Sequence, residues 1–432
     1  MMMMSIRVVV LFVTTLAGLA IAQPADPERL TLAQAEEIAL RNNPRIGAAE
    51  ADAQASAQTE TQIRSSLYPT LSANLTGAGA PTNTRLAAGG LNNPVIYSRF
   101  ASGVSASQLL FDFGRTSTLA QSAALRANAQ FETSKATRAD VLLNVHRAYL
   151  AGLRADAVSD IARQAVASRQ AMADYARALA DSKLKSELDV RFAEVSLAEA
   201  RLLLETADND RRAADAELSS ALGYSDMRRF QLVQEPSREL PSTDPARLVS
   251  EALAKRPEFA GRRFDLEAAR RLVEAERKLR FPAVSAMASV GATPFYAQGL
   301  GNNHFAAVGL NVTMPFLNGG LFTSRRVEAQ YKATAAQRRL DELQQRIARD
   351  VAVAVISAQS AAQRMALSAQ LVQQATLALD LAQARYDLGL SSIVELSQAQ
   401  LARTNAEIQQ ASARYDYQLQ RTLVGYQIGE LQ

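Results

Sequence analysis

Residues 386–410 read Y-D-L-G-L-S-S-I-V-E-L-S-Q-A-Q-L-A-R-T-N-A-E-I-Q-Q. A helix ends here, turns and starts again. Gly389 suits the left-handed position just past a helix C-terminus, and Ser392 stands three residues before Glu395, the spacing of a capping box. Val394, Leu401 and Ile408 then recur every seven residues, the period of coiled-coil packing. Two helices meet at a tight turn, and the spacing of the rest of the chain carries that turn to one far end of a long object.

The same signals occur earlier in the chain. Ser186-Glu187-Leu188-Asp189 parallels Ser392-Ile393-Val394-Glu395 at an offset of 206, as Gly223 parallels Gly429. Phe111-Asp112-Phe113-Gly114 parallels Phe316-Leu317-Asn318-Gly319 at 205, and Tyr68-Pro69 parallels Phe281-Pro282 at 213, the offset that also relates Pro44 to Pro257. Landmarks in one order predict a tandem duplication whose length change falls between paired strands, where loops tolerate it. The first repeat spans 23–223, a connector 224–245, and the second repeat 246–432.

Each repeat predicts the order helix, helix, strand, strand, long helix, helix. In the first repeat the helices are 31–43, 44–67, 116–181 and 187–222, with strands at about 69–80 and 98–112. In the second they are 246–256, 257–280, 321–388 and 392–428, with strands at about 282–295 and 304–317. From 116 to 181 there is no proline and only one glycine, Gly152. One helix of about 99 Å is therefore expected, at about 1.5 Å per residue. The two shorter helices of each repeat together nearly match the long one, as they would if stacked end to end beside it. Leu188, Val195 and Leu202 mirror the heptad of the second repeat.

The strands alternate. Leu71, Ala73 and Leu75 oppose Thr70, Ser72, Asn74 and Thr76, and Val308, Leu310 and Val312 oppose Gly309, Asn311 and Thr313. Segments of about ten residues, apolar on one side and small or polar on the other, fit membrane β-strands. Tyr68, Phe281, Phe295 and Phe316 lie near strand ends, where an aromatic girdle would sit. Four strands cannot close a membrane barrel, and an open edge in lipid leaves backbone groups without partners. The chain must therefore oligomerise; two copies supply eight strands and three supply twelve.

Composition narrows the function classes. The chain of 432 residues has no Cys, which excludes disulfides, thiolate metal sites, a cysteine nucleophile and a lipid-anchored N-terminal cysteine. Net charge is +4 with both signs interspersed, and no basic stripe with aromatic platforms points to nucleic acid. His146 stands mid-helix with no second His nearby, and His304 starts a strand beside a loop. The Asp112-Phe113-Gly114 triplet lacks the loops of a kinase. No enzyme constellation, phosphate loop or cofactor motif emerges. Arg7, the apolar run 8–19 and Ala20-Ile21-Ala22 predict a signal peptide over 1–22, so the chain is exported and any membrane insertion must use strands.

The duplicated plan, the aromatic-proline pairs, the F-x-x-G turns and R-Y-D-L-G-L-S-S-I-V-E-L at 385–396 together resemble the TolC-like outer-membrane efflux proteins over nearly the whole mature chain. The resemblance implies a mainly helical fold with membrane β: a homotrimer whose coiled-coil helices form a periplasmic tunnel and whose strands form a 12-stranded barrel in outer-membrane lipid. It implies an exit duct for efflux or type I secretion. Its partners would be a periplasmic adaptor (membrane fusion) protein and an inner-membrane transporter of RND or ABC type. The missing cysteine resembles the non-lipidated members. By motif, Tyr386 takes the tyrosine of the tip helix, Glu395 the first acid of the periplasmic aperture and Asp189 its counterpart in the first repeat. Gly389, Leu390 and Ser391, with Leu184 in the first repeat, would face the adaptor. Ser391 stands where the family can place a basic residue and Gln398 where it places a second acid, which implies a less tightly locked tip. Lys183 stands where the second repeat has Gly389. Two readings of Glu395 and Asp189 remain open at this point, helix capping and an aperture role. An alternative for the chain is a periplasmic structural coiled-coil protein with soluble hairpins.

Overall fold

The computed structural model describes residues 28–79, 81, 99–183, 186–234, 244–296 and 303–431. The expected signal peptide and Leu184 lie outside them. In chain order the elements are β1 (Glu28–Leu30), α1 (Leu32–Asn42), α2 (Pro44–Ser65), β2 (Thr70–Ala78), β3 (Arg99–Phe111), α3 (Arg115–Asp181), α4 (Glu187–Ala221), β4 (Phe230–Leu232), α5 (Pro245–Lys255), α6 (Pro257–Lys278), β5 (Ala283–Tyr296), β6 (His304–Thr313), α7 (Leu321–Asp387) and α8 (Ile393–Ile428).

The two long helices have 67 residues each. Each is therefore about 100 Å long at the α-helical rise. Helix α3 lies at the centre, packed against α2 and α4 of its own repeat and against α6 and α8 of the other; α7 packs against α8 and α6. Helices α4 and α2 stack end to end. The Asn43 side chain caps α2 by accepting from the Arg45 amide, and its amide donates to Ala221 O at the end of α4 at 3.0 Å. In the second repeat Arg256 at the start of α6 donates to Gln427 near the end of α8 at 3.0 Å.

A four-stranded antiparallel sheet of order β2-β3-β5-β6 sits at one end of this bundle. Its register sorts the side chains into two faces. One row across all four strands is Leu71, Ala106, Ala288, Val308, and the next on that face is Ala73, Val104, Val290, Ala306. The opposite face carries Ser72, Ser105, Ser289, Ala307 and then Asn74, Gly103, Gly291, Phe305. The weaker alternation of β3 has a structural cause, since register shifts interrupt it between Phe100 and Ser102 and between Leu109 and Phe111. Strand β6 ends at Thr313, short of the expected 317, because Pro315 has no N–H for the ladder.

Where the sheet meets the helices, Phe111 tilts against Phe113 at a ring-centroid distance of 4.8 Å, and Phe113 stacks on Phe281 at 4.9 Å. Lys278 at the end of α6 donates to Thr118 Oγ1 at 2.8 Å and to Gly114 O at 3.3 Å, tying the second repeat to the start of α3. The turns here correct the repeat alignment. Phe113 and Gly114 adopt positive φ, and their counterparts are Gly319 and Gly320, an offset of 206 rather than 205. Every landmark after the strands then shares one offset, which brackets the length change between Pro69 and Phe113.

A second sheet was not legible beforehand. Strand β1 pairs in parallel with β4, within what reads as a connector. The pair lies across the middle of α3. Tyr149 donates to Leu30 O at 2.8 Å and lies 2.7 Å from Val233 O, and the Val233 amide donates to its hydroxyl at 3.1 Å. Arg211 of α4 joins Asp156, Asp215 and the Phe230 carbonyl beside it. His146 belongs to this belt too, with Nε2 2.5 Å from Glu36 of α1.

The heptad of the first repeat marks a face that the chain's own helices do not cover. Within the chain, α4 buries Val190, Ala193, Leu197 and Ala200, with Ala193 and Leu197 against Ala173 and Ala176 of α3. Leu188, Val195 and Leu202 are 62%, 56% and 70% exposed. Small residues let α3 and α4 approach closely, and the large apolar heptad is left on the outside.

Candidate functional site

The two helical turns lie at the end of the bundle remote from the sheet. In the second repeat α7 closes with a Schellman motif. Gly389 at φ +75° donates to Tyr386 O at 3.0 Å, and Leu390 N donates to Arg385 O at 2.8 Å. In the first repeat Lys183 occupies the same place at φ +59° and donates to Ala180 O at 2.9 Å. A side chain in the left-handed region costs about 1–2 kcal/mol, partly offset by glycine's larger loss of freedom on folding. Lys183→Gly is therefore expected to stabilise the first turn by about 0.5–1 kcal/mol, read as slower amide exchange in 178–190 with the second turn unchanged.

The two acids behave differently. Asp189 completes a full capping box: its carboxylate accepts from the Ser186 amide at 3.2 Å, while the Ser186 hydroxyl accepts from the first turn of α4. Glu395 does half of this. Its amide donates to Ser392 Oγ at 3.4 Å, but its carboxylate turns instead to Arg385, 3.5 Å away on α7. Ser391 leaves the turn itself without a basic residue. The arginine comes from the preceding helix, ten residues back, rather than from the turn. Ser391 is half-buried, and its hydroxyl has no hydrogen-bond partner among the described residues. Gln398 is exposed on α8.

Tyr386 is 2% exposed and packs with Ala382, Ile393 and Leu396, against Met172 of α3. Burial, with the charge of Asp189 nearby, pushes its hydroxyl above the usual tyrosine range. Tyr386 therefore lies on the seam where the second hairpin meets α3 of the first. Ser397 and Ser196 continue that seam at 3.2 Å, and buried Arg169 donates to the Ser196 carbonyl at 3.2 Å. Leu390 lies on the turn itself, 68% exposed, with Leu388 nearby at 75%.

A charge network at the first tip escaped the sequence reading. Arg177 of α3 reaches Glu194 of α4 at 3.0 Å, Arg191 joins the same carboxylate at 3.0 Å, and Glu187 and Asp174 extend the chain at 3.1 Å. The two guanidinium hydrogen bonds hold the Glu194 carboxyl below its ordinary range. The i,i+3 and i,i+4 spacings of Arg191 were readable, but the Arg177–Glu194 link depends on how two helices are registered.

The architecture has known counterparts. The sequence profile of a family described as outer membrane efflux protein matches residues 37–224 and 248–424. Outer membrane protein TolC of Salmonella enteritidis is 24% identical over 429 residues, spanning 93% of this chain and 83% of its own. A solved membrane protein from Pseudomonas aeruginosa superposes with a TM-score of 0.81 at 23% identity, covering 93% of this chain and 91% of that one. The outer membrane protein VceC of Vibrio cholerae gives 0.75 at 20% identity, covering 92% and 96%. With both repeats matched, each carrying its pair of strands and its tip, the chain belongs to the outer membrane efflux protein family.

Proposed function

We propose that three copies of this chain close into a passive duct, a twelve-stranded barrel in outer-membrane lipid continued by a helical tunnel across the periplasm. One observation carries the reading. The four-stranded sheet has one mostly apolar face, one mostly small or polar face, and unpaired edges at β2 and β6, so it needs identical neighbours to become a closed membrane wall. Ring closure has further support in the exposed heptad of α4 and in the exposed Ile356, Leu367, Leu377 and Leu381 of α7, which neighbouring copies would cover.

Within this reading Tyr386, Asp189 and Glu395 form the periplasmic aperture, three of each around the axis. Gly389, Leu390 and Ser391, with Leu184 of the first repeat, meet a periplasmic adaptor that links the duct to an inner-membrane transporter of RND or ABC type. The Leu388–Leu390 apex, apolar and exposed, supports a partner surface there. Energy comes from the transporter, and the duct supplies a path. The expected behaviour is a heat-labile trimer that resists carbonate extraction and conducts ions in a planar bilayer. A soluble monomer without conductance would overturn the reading. A photocrosslinker at position 390 is expected to capture the adaptor in cells.

A further inference from the structure

The face of the sheet lined by Ser72, Ser105, Ser289, Asn74 and Asn311 is mostly small or polar, with Leu109 and Met287 in the rows nearer the helices, and among its described side chains Phe305 is the one aromatic. Phe305 stands in the row Asn74, Gly103, Gly291, Phe305. Its ring lies across both glycines. A Cβ on Gly291 would fall 2.7 Å from the ring Cε1 and closer still to Cζ, and one on Gly103 would fall 3.1 Å from Cζ. Real Cβ atoms essentially never come as close as the Gly291 distances and rarely as close as the Gly103 distance, and two adjacent strands lack side chains where the ring crosses them. The trough spans β5 and β3, and the ring reaches it from β6. Phe305 lies eight residues from Thr313, where β6 turns back to the helices. That is about 27 Å along an extended strand. The row is therefore near the mouth remote from the tunnel.

We propose that Phe305 sets the bore of the outer mouth: three rings, one per protomer, are held flat against the lumen wall by the Gly103–Gly291 trough. This rests on the trimeric barrel proposed above. An aromatic ring standing upright on a lumen-facing strand would narrow the passage. Laid in a trough without Cβ atoms, it keeps the passage wide and offers a solute one flat apolar face. The residue thus determines which bulky solutes pass, without contacting a partner protein.

The test uses the full-length trimer in planar bilayers, and the absence of native cysteine makes single-cysteine variants clean. Phe305→Cys is expected to lose conductance in up to three steps when a charged, water-soluble thiosulfonate is added. Ala306→Cys, on the opposite face, is expected to show no change. Gly103→Ala lifts the ring and is expected to lower conductance, and adding Phe305→Ala is expected to restore it. Gly103 is preferred to Gly291 because its added Cβ would meet the Val290 carbonyl oxygen at 3.0 Å, a milder intrusion on backbone than a Cβ at 291 would make on the Ser102 carbonyl. A wild-type trimer that does not conduct would defeat the barrel reading itself. If the wild type conducts, an unreactive Phe305→Cys, a Gly103→Ala channel with wild-type conductance, or a double variant that does not recover overturns the proposal. Should Gly103→Ala fail to assemble, assembly of the double variant supports the trough and its failure overturns it.

Discussion

Val308→Arg is expected to remove the trimer from outer-membrane fractions, whereas Ser289→Arg, on the other face of the adjacent strand, is expected to leave it there. Val308 closes the apolar row Leu71, Ala106, Ala288, Val308 at mid-strand and is largely exposed in the single chain. An arginine on the lipid face near the bilayer midplane costs about 2–4 kcal/mol. Three copies bring about 6–12 kcal/mol against a typical domain stability of about 5–15 kcal/mol. Ser289 belongs to the small, polar face, where an added charge meets water. A ring of three arginines there is expected to keep the channel and reduce its preference for cations, since charged rings set ion selectivity. The measurements are carbonate extraction and reversal potential in a salt gradient. A conducting, membrane-embedded Val308→Arg trimer, or equal loss of both variants, would mean that the two faces are not lipid and lumen.

The sheet faces were legible in the sequence because alternation is a local signal: it needs only the two-residue period of a strand. Long helices announced themselves through missing glycine and proline, and their ends through Ser186, Ser392 and Gly389, which act on backbone groups within a few residues. Whatever depended on two distant segments was harder. Strands β1 and β4 are very short and lie in opposite ends of the first repeat and its connector, so neither has a pattern of its own. The heptad at Leu188, Val195 and Leu202 correctly says that these residues share a face. A period does not say what covers that face, and inside the chain the close seam is built from alanines. The same limit applies at the tip. Ser392 and Glu395 have capping-box spacing, yet the carboxylate prefers Arg385, which the turn brings alongside. The spacing of an acid therefore named a helix start in both repeats and a capping carboxylate in only one.

Tyr386→Ala is expected to open the periplasmic end, and Glu395→Gln is expected not to. Tyr386 fills the space where α7 and α8 meet Met172 of α3, so its ring joins the two hairpins to each other. Truncating a buried aromatic ring costs about 3–5 kcal/mol, and here the loss falls on the seam that must part if the tip dilates. Arg385 and Glu395 belong to a single hairpin. When that hairpin swings outward as a unit, the pair travels with it, and an exposed pair is worth only about 0.2–1 kcal/mol. Glu395→Gln removes a ring of three negative charges and is expected to lower cation preference while leaving open time unchanged. Tyr386→Phe divides the ring from the hydroxyl: it keeps the packing, so any opening it causes reports the hydroxyl alone. Single-channel recordings of the three variants separate these effects. If Glu395→Gln lengthens open time as much as Tyr386→Ala, the lock lies within the hairpin and the seam between repeats is not what parts. If Tyr386→Ala leaves open time at the wild-type value, the Tyr386 seam is not what holds the tip closed, and the charge network around Glu194 cannot replace it, since it lies within the α3–α4 hairpin and travels with it.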